Sequence, residues 1–422
     1  MPKTYYNVHN HTMYSNTRFA DAINSVKGLI LNAYKKGLAG VSISEHQSLV
    51  SHWIAQKDIR ELKQEYPHMF DHFRVTYGDE IYLVDRREVE DGIKRNHAYH
   101  KNHCQGDYTY THFNHFILTA RNEHGYELLL KLNQYAWQDS FMFGRFRMQR
   151  RLPTYKDWLA KEMKDYKGDV VASTACLGSE LSQDLTQYNY DKNSLDNNQD
   201  NQNAHQLIKE LASKDKLDTK KLDKLADERI KAGKNQTIKD DKKKIHDFLH
   251  YLITTFGKEN VYFELMPSLK KHQKIVNKYL WSLSQRTGIK TIISTDSHFT
   301  DKNNEKLHQS FLQAEQTNRD VYDFYHYAHL FSYSELERAN NQPRFKFFND
   351  RVLRISTQNS LDLLKTIQQI NLDNVTITAD EKKVLRNTLN DAKRVNRKIG
   401  KRMVYNVGNV ANTIKSHWYG MN

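Results

Sequence analysis

Nearly every short apolar run in this chain that reads as a strand has a histidine, a carboxylate or a thiol at one end. Tyr5 to His9 is strand-like and leads on to His11. Val41 to Ser44 runs into Glu45 and His46. Val75 to Tyr77 and Ile81 to Val84 bracket Gly78, Asp79 and Glu80. His115 stands directly before Phe116 to Ala120, and Cys176 shortly after Val170 to Ser173. Thr291 to Ser294 continues into Asp296 and His298, and Phe263 to Leu265 is one more run. Helical spacing lies between them: Val26, Leu29, Ile30 and Ala33 share a face, Gly37 stands where a C-cap belongs, and Glu127 to Trp137 reads as a helix. Alternation of this kind specifies an α/β architecture around a mostly parallel sheet or barrel. In such barrels, functional groups collect where the strands end.

Composition removes several alternatives. Gly (16) and Pro (5) in 422 residues are too few for collagen-like or Pro-rich chains. Two cysteines exclude a disulfide scaffold and make a reducing cytoplasm the natural setting. No apolar run approaches the ~18 residues of a membrane span, and no secretory leader is visible, so no membrane partner is expected. Lys+Arg 64 against Asp+Glu 50 gives a net charge of +14, which favours polyanionic partners, nucleic acid above all. Abundant Lys, Asn, Ile, Tyr and Phe also match AT-rich coding, as in a low-GC bacterium or its phage, so part of the excess is compositional.

The alternation breaks at residues 183–244, where Asn, Gln, Asp and Lys dominate. This segment reads as a polar, partly disordered insertion containing one charged helix in "LDTKKLDKLADERIKA". It divides the α/β region into residues 1–182 and 245–300. Residues 301–422 read as a mostly helical extension, ending in the basic pattern "KVLRNTLNDAKRVNRKIGKRM".

His9 and His11 lie two apart on a strand, hence on the same side, where two imidazoles can hold one ion. Asp296 and His298 repeat that spacing. A donor set of imidazole, carboxylate and one thiol suits zinc or manganese better than magnesium or calcium alone. The cluster His97, His100, His103, Cys104 and His112 looks metal-like but falls in a polar stretch and reads as a solvated loop. In "FMFGRFRMQRR", Phe141, Phe143 and Phe146 interleave with Arg145, Arg147, Arg150 and Arg151, a pattern that can stack bases and hold phosphates.

These segments resemble the PHP (polymerase and histidinol phosphatase) domain family, most of all the domain that begins the alpha subunit of bacterial DNA polymerase III. "HNHTMYSN…DAINSVKGLILNAYKKGLAGVSISEH" is similar to the family's opening. "YGDEIYL" looks like its Gly-Cys-Glu segment with Asp79 in place of Cys, and "HFILTARNEHGYELLLKL", "STACLGSEL", "VYFELM" and "ISTDSHFT" are similar to its later motifs. The likeness covers residues 5–182 and 245–335. It implies a distorted (β/α)7 TIM-like barrel. It also implies metal ligands at His9, His11, Asp21, His46, Glu80, His115, Cys176, Asp296 and His298. Asp21 fits only if "NTRF" holds a short insertion, since Arg18 stands at the commonest spacing, and Glu45 replaces the usual Asp before His46. Arg147 matches an Arg of the family's Lys-Pro-Arg segment, with Phe146 in place of Pro.

The resemblance further implies two to three divalent ions, zinc or manganese first and magnesium or iron as alternatives. The implied chemistry is phosphoester hydrolysis of the 3′–5′ exonuclease kind on DNA, single-stranded or at a 3′ end, in replication or repair. Glu80, Asp296, His298 and Arg147 are the expected catalytic residues. No paired polymerase aspartates follow Phe331, so polymerisation by this chain alone is not expected. Two other readings stand beside a nuclease. One is a non-catalytic N-terminal component of a split replicative polymerase, with structural metals and a separate polymerase chain as partner. The other is a small-molecule phosphatase of the histidinol-phosphate type.

Overall fold

The computed structural model describes residues 3–17, 20–102, 113–143, 149–193, 219–315, 327–342, 346 and 348–419. They form two compact units: residues 1–179 with 254–422, and residues 180–253.

The larger unit is built on β1 (Tyr6–Asn7), β2 (Gly40–His46), β3 (Arg74–Val84), β4 (Asn114–Ala120), β5 (Phe141–Phe143), β6 (Gln149–Arg151), β7 (Thr154–Tyr155), β8 (Val170–Ser173), β9 (Val261–Leu265) and β10 (Lys290–Ile293). The main sheet runs β1-β2-β3-β4-β8-β9-β10, with β7 added to the end of β3; β5 and β6 pair separately. All residues of β2, β8 and β9 are buried. That explains why these strands read as unbroken runs: helices cover one face and the barrel interior the other. Hydrogen bonds close the sheet on itself: a parallel bridge joins Asn10 to Ser297, with His11 N donating to Ser297 O at 2.9 Å and Ser297 N to His9 O at 3.1 Å. The result is a nearly closed seven-strand barrel of (β/α) type.

One strand is reversed. β4 is antiparallel to both β3 and β8, whereas the other main-sheet pairs are parallel. This accounts for His115 preceding its strand. The start of a reversed strand lies at the same end of the barrel as the finish of its neighbours, and His115 faces Tyr82 across the β3 pair.

Helix signals behave as their chemistry dictates. The helix Val26–Lys35 starts at Ser25, whose side chain accepts from Gly28 N at 3.1 Å, and ends at Gly37 with φ +74°, a conformation that favours glycine. The expected loop after Val84 is instead a helix, Arg86–Asn102, because the Arg/Glu/Lys content of its first turns favours helix over coil.

Residues after 300 join the barrel's own unit. The helix Asp350–Thr366 closes the N-terminal end of the strands. Leu363, Leu364 and Ile367 pack on Tyr6, Val8, Val171, Tyr262 and Ile292, each buried leucine worth about 1.5–3 kcal/mol. Its polar residues satisfy the strand ends: Ser360 Oγ accepts from Tyr6 N at 3.1 Å, and Asn359 Nδ2 donates to Thr291 O at 2.8 Å.

In the smaller unit, residues 183–193 of the expected insertion are helical, within the helix Glu180–Asn193, and the charged helix expected in "LDTKKLDKLADERIKA" lies in the helix Thr219–Phe256. Leu, Lys, Glu and Ala there are good helix formers. Ile245, Phe248, Leu249 and Leu252 make its buried stripe at helical spacing. Residues 194–218 lie outside the described set. Replacing residues 187–235 with a Gly/Ser linker is expected to leave the barrel's cooperative melt unchanged, as followed by circular dichroism. Loss of that transition would make the segment part of the barrel's core.

Candidate metal centre

The C-terminal ends of the strands, with the start of reversed β4, converge on one buried point. His9 and His11 follow β1, His46 ends β2, Glu80 lies within β3 and His115 within β4. Cys176 follows β8, and Asp296 and His298 follow β10. Asp21 arrives on the loop before the first helix. Asn16 clamps that loop: its Oδ1 accepts from Asp21 N at 3.0 Å and Ala22 N at 3.1 Å, and its Nδ2 donates to Ala22 O at 2.8 Å. All the residues expected as ligands are therefore brought together, Asp21 included.

Glu80, fully buried, is the centre of the cluster. Its Oε1 lies 2.7 Å from His115 Nδ1 and 3.5 Å from His9 Nε2; its Oε2 lies 2.7 Å from His46 Nδ1 and 3.3 Å from His11 Nε2. Three donor groups surround it. His9 Nε2 and His11 Nε2 are each 3.1 Å from Asp296 Oδ1. Asp21 Oδ2 is 3.4 Å from His46 Nε2 and 3.7 Å from His298 Nε2. Cys176 Sγ is 3.7 Å from His115 Nδ1.

The far sides of the rings fix their orientation. His9 Nδ1 donates to Glu264 Oε2 at 3.1 Å, which turns the Nε2 lone pair into the cluster. His11 Nδ1 meets Ser15 Oγ at 2.9 Å, and Ser15 in turn donates to buried Glu45 at 2.5 Å. His298 Nδ1 donates to the Asp296 carbonyl at 2.9 Å. Glu264 and Ser15 were not singled out from sequence. A glutamate inside "VYFEL" has the look of an ordinary strand residue until the ends of β1, β8 and β10 are seen to converge on it.

Electrostatics are strongly coupled. Burial alone pushes the His9 imidazole down, but Asp296, Glu80 and Glu264 together hold it well above the usual histidine range. Burial and the neighbouring His46 and His298 push His11 down to about 3. Burial raises the Cys176 thiol well above its ordinary value, so this thiol needs a cation beside it to become a thiolate.

These residues fit divalent ions. Asp21 Oδ1, His46 Nδ1, Glu80 Oε2 and Asp296 Oδ1 are buried and make no hydrogen bond, the state expected of lone pairs reserved for a cation. Backbone strain clusters here too. Among the described residues, the non-glycine positions with positive φ are Gln47 (47°), Ala175 (53°) and Asp296 (44°), each at or beside a donor. Such conformations persist where surrounding structure over-determines them.

Gly178 supports the thiol side. Its carbonyl accepts from His115 N at 3.0 Å, its N–H points to Cys176 Sγ at 3.4 Å, and a Cβ there would sit 3.0 Å from the His115 ring. Gly178→Val is expected to displace that ring and lower divalent-ion affinity by roughly 10–100-fold. Competition titration against a chromophoric chelator measures this; unchanged affinity would refute it.

Arg147, with Arg145 and Phe146, lies outside the described residues, as do His103, Cys104 and His112; His97 and His100 lie on the helix Arg86–Asn102.

Residues 7–268 match the PHP domain family. The chain is 29% identical over 366 residues to "Probable DNA polymerase YorL" of Bacillus subtilis (strain 168), covering 86% of this chain and 23% of that one. It is 23% identical over 305 residues to the DNA polymerase III subunit alpha of Campylobacter jejuni, covering 72% of this chain and 19% of the relative. This chain thus spans less than a quarter of the length of these relatives. A solved structure from Bifidobacterium adolescentis, described as a candidate metal-dependent phosphoesterase, superposes with a TM-score of 0.33 at 10% identity, covering 70% of this chain and 88% of that one.

Proposed function

This chain belongs to the PHP domain family, and on that premise we propose that it is a divalent-metal-dependent phosphoesterase cleaving nucleic-acid phosphodiester bonds. Its form would be a 3′–5′ exonuclease on single-stranded DNA in replication or repair. The observation that carries this reading is Glu80: one buried carboxylate whose two oxygens face different histidines, with further donor groups on every side.

Divalent ions, when bound, supply hydroxide at neutral pH and neutralise charge on the phosphate oxygens. His9, His11 and Asp296 would hold one, Asp21, His46 and His298 a second, and His115 with Cys176 a third, with Glu80 shared. Zinc or manganese suits the donors best. Glu264, Ser15 and the Asp296 carbonyl keep the rings facing inward. No side-chain nucleophile is needed. The net charge of +14 draws in a polyanion, and Arg147 is assigned to phosphate contact on its sequence context. None of the described helices is long and apolar enough to cross a membrane; a cytoplasmic site of action is part of the proposal.

A second reading rests on the likeness to polymerases. The relatives it matches over 86% of its length are DNA polymerases; on this reading the chain is a non-catalytic component of a replicative polymerase, with structural metals and a polymerase chain as partner.

End-labelled single-stranded DNA, followed over time with metal analysis of the same sample, decides between them. Hydrolysis should vanish with chelator and return with Mn²⁺ or Zn²⁺, and DNA binding should weaken as salt rises. Rapid turnover of histidinol phosphate or an aryl phosphate with intact DNA would replace a nuclease with a small-molecule phosphatase. Bound ions with no turnover at all would establish the non-catalytic reading.

A further inference from the structure

The stem of the loop that carries Asp21 is tied to the barrel. Met13 N donates to Asn24 O at 2.8 Å, and Ile23 N donates to His298 O at 3.0 Å. The tip leans on two helices from beyond residue 300, Glu305–Glu315 and Ala379–Tyr419. Both lie outside residues 7–268, the stretch matched to the family.

The residues around Asp21 find their partners on those helices. Ala20 packs in a buried cluster with Ile399, Phe311 and Ala314. The Asp21 carbonyl accepts from His308 Nε2 at 2.5 Å, and the His308 ring stacks on Phe299 with centroids 4.8 Å apart. Asn16, which holds Asp21 N and Ala22 N, is itself gripped by Asn396. Asn396 Oδ1 accepts from Asn16 Nδ2 at 2.7 Å, and Asn396 Nδ2 donates to Met13 O at 2.7 Å. One amide thus bridges the outgoing limb of the loop at Met13 and, through Asn16, the returning limb at Asp21. The same Nδ2 also donates to Ala392 O at 2.9 Å, which anchors the amide within its own helix. The two helices are fastened to each other, since Arg402 donates to Ala314 O at 3.3 Å.

We propose that Asn396 is a positioning residue for the ion held by Asp21, His46 and His298, so that docking of the helix Ala379–Tyr419 and occupancy of that site are coupled. The proposal rests on the metal-binding reading of the centre and not on hydrolysis of any substrate. His46 ends β2 and is placed by the sheet. Asp21, which brings the carboxylate to this donor group, stands on an irregular loop, and a loop tip is placed by whatever packs on it. Here that is the helix pair, with Asn396 as the hydrogen-bonded link. By linkage, the factor by which docking raises ion affinity is also the factor by which the ion favours docking.

Chelator competition and mass-spectrometric metal analysis, on the full chain loaded with Mn²⁺ or Zn²⁺, read the ion sites. Asn396→Leu, close in volume but without donor or acceptor, should weaken one ion by roughly 10–100-fold, the effect of losing an outer support of a metal ligand, and leave the others. Val384→Ala controls for packing alone, because Val384 seats the same helix in a buried cluster with Trp137 and Leu152 that holds none of the donors. It should keep every ion. Hydrogen exchange followed by mass spectrometry reads the coupling from the other side. Amides of residues 392–403 should exchange more slowly in the ion-loaded parent than in chelator, and Asn396→Leu and Asp21→Asn should each abolish that difference. Full affinity for every ion in Asn396→Leu, an equal loss in Val384→Ala, or exchange that ignores the ions would each overturn the proposal. A parent that binds no ion at all would remove the metal reading along with it, a failure distinct from any the variants give.

Discussion

Replacing Glu264 with alanine is expected to lower stability by about 3–5 kcal/mol, comparable to removing one partner from a buried charged network, and to weaken ion binding by roughly 10–100-fold. Glu264 is fully buried, and its carboxylate bonds reach the ends of three strands. It accepts from Ser173 Oγ at 2.5 Å at the end of β8, from Ala175 N at 3.1 Å beside Cys176, from Ser294 Oγ at 2.5 Å after β10, and from His9 Nδ1 at 3.1 Å after β1. Truncation leaves four donors buried without a partner. It also frees the His9 ring to turn and releases the strained Ala175 that sets up Cys176. Glu264→Gln keeps the volume but places an amide N–H₂ where one pair of donors points, so an intermediate loss is expected. Chemical denaturation of the metal-free protein reads the stability, and chelator competition reads the affinity. A Glu264→Ala protein that melts and binds ions as the parent does would show that the carboxylate is a bystander.

The contrast between Glu264 and the donor residues explains what could be read from sequence. Histidines and carboxylates at strand ends are conspicuous because period-two alternation predicts where each side chain points, and a rare residue pattern in fixed order is hard to produce by chance. The reversal of β4 was implicit in the position of His115 before its strand, yet nothing local states that a strand runs backwards; only the barrel's closure makes it necessary. Glu264, Ser15 and Asn16 were not legible as site residues. Their partners are set by tertiary contact: Glu264 is 255 residues from His9, and Asn16 acts on a loop whose length looked like a misfit. The closing role of the helix Asp350–Thr366 was hidden for the same reason. An amphipathic helix announces that it has a buried face but not which surface receives it.

The donor groups around Glu80 lead to a result that separates them. Glu80→Gln is expected to reduce bound ions to about one per chain and to lower phosphodiester hydrolysis by at least about 1,000-fold, the equivalent of several kcal/mol of charge stabilisation. The argument is geometric. Glu80 Oε1 faces His9 and His115, and Oε2 faces His11 and His46, so its charge serves the His9–His11–Asp296 group and the His115–Cys176 group together. Asp21, by contrast, meets His46 and His298 through Oδ2; His46 turns only its other ring nitrogen to Glu80, so that group keeps a carboxylate of its own. Glutamine preserves the volume of a fully buried side chain, so loss of the fold is not the expected cause of the defect; an unaltered far-ultraviolet spectrum checks this. Asp21→Asn should give the converse, with loss of a single ion and retention of those that share Glu80. Inductively coupled plasma mass spectrometry on both variants measures the stoichiometry. Full ion content in Glu80→Gln, or equal losses in the two variants, would mean that the donors do not divide around Glu80 in this way.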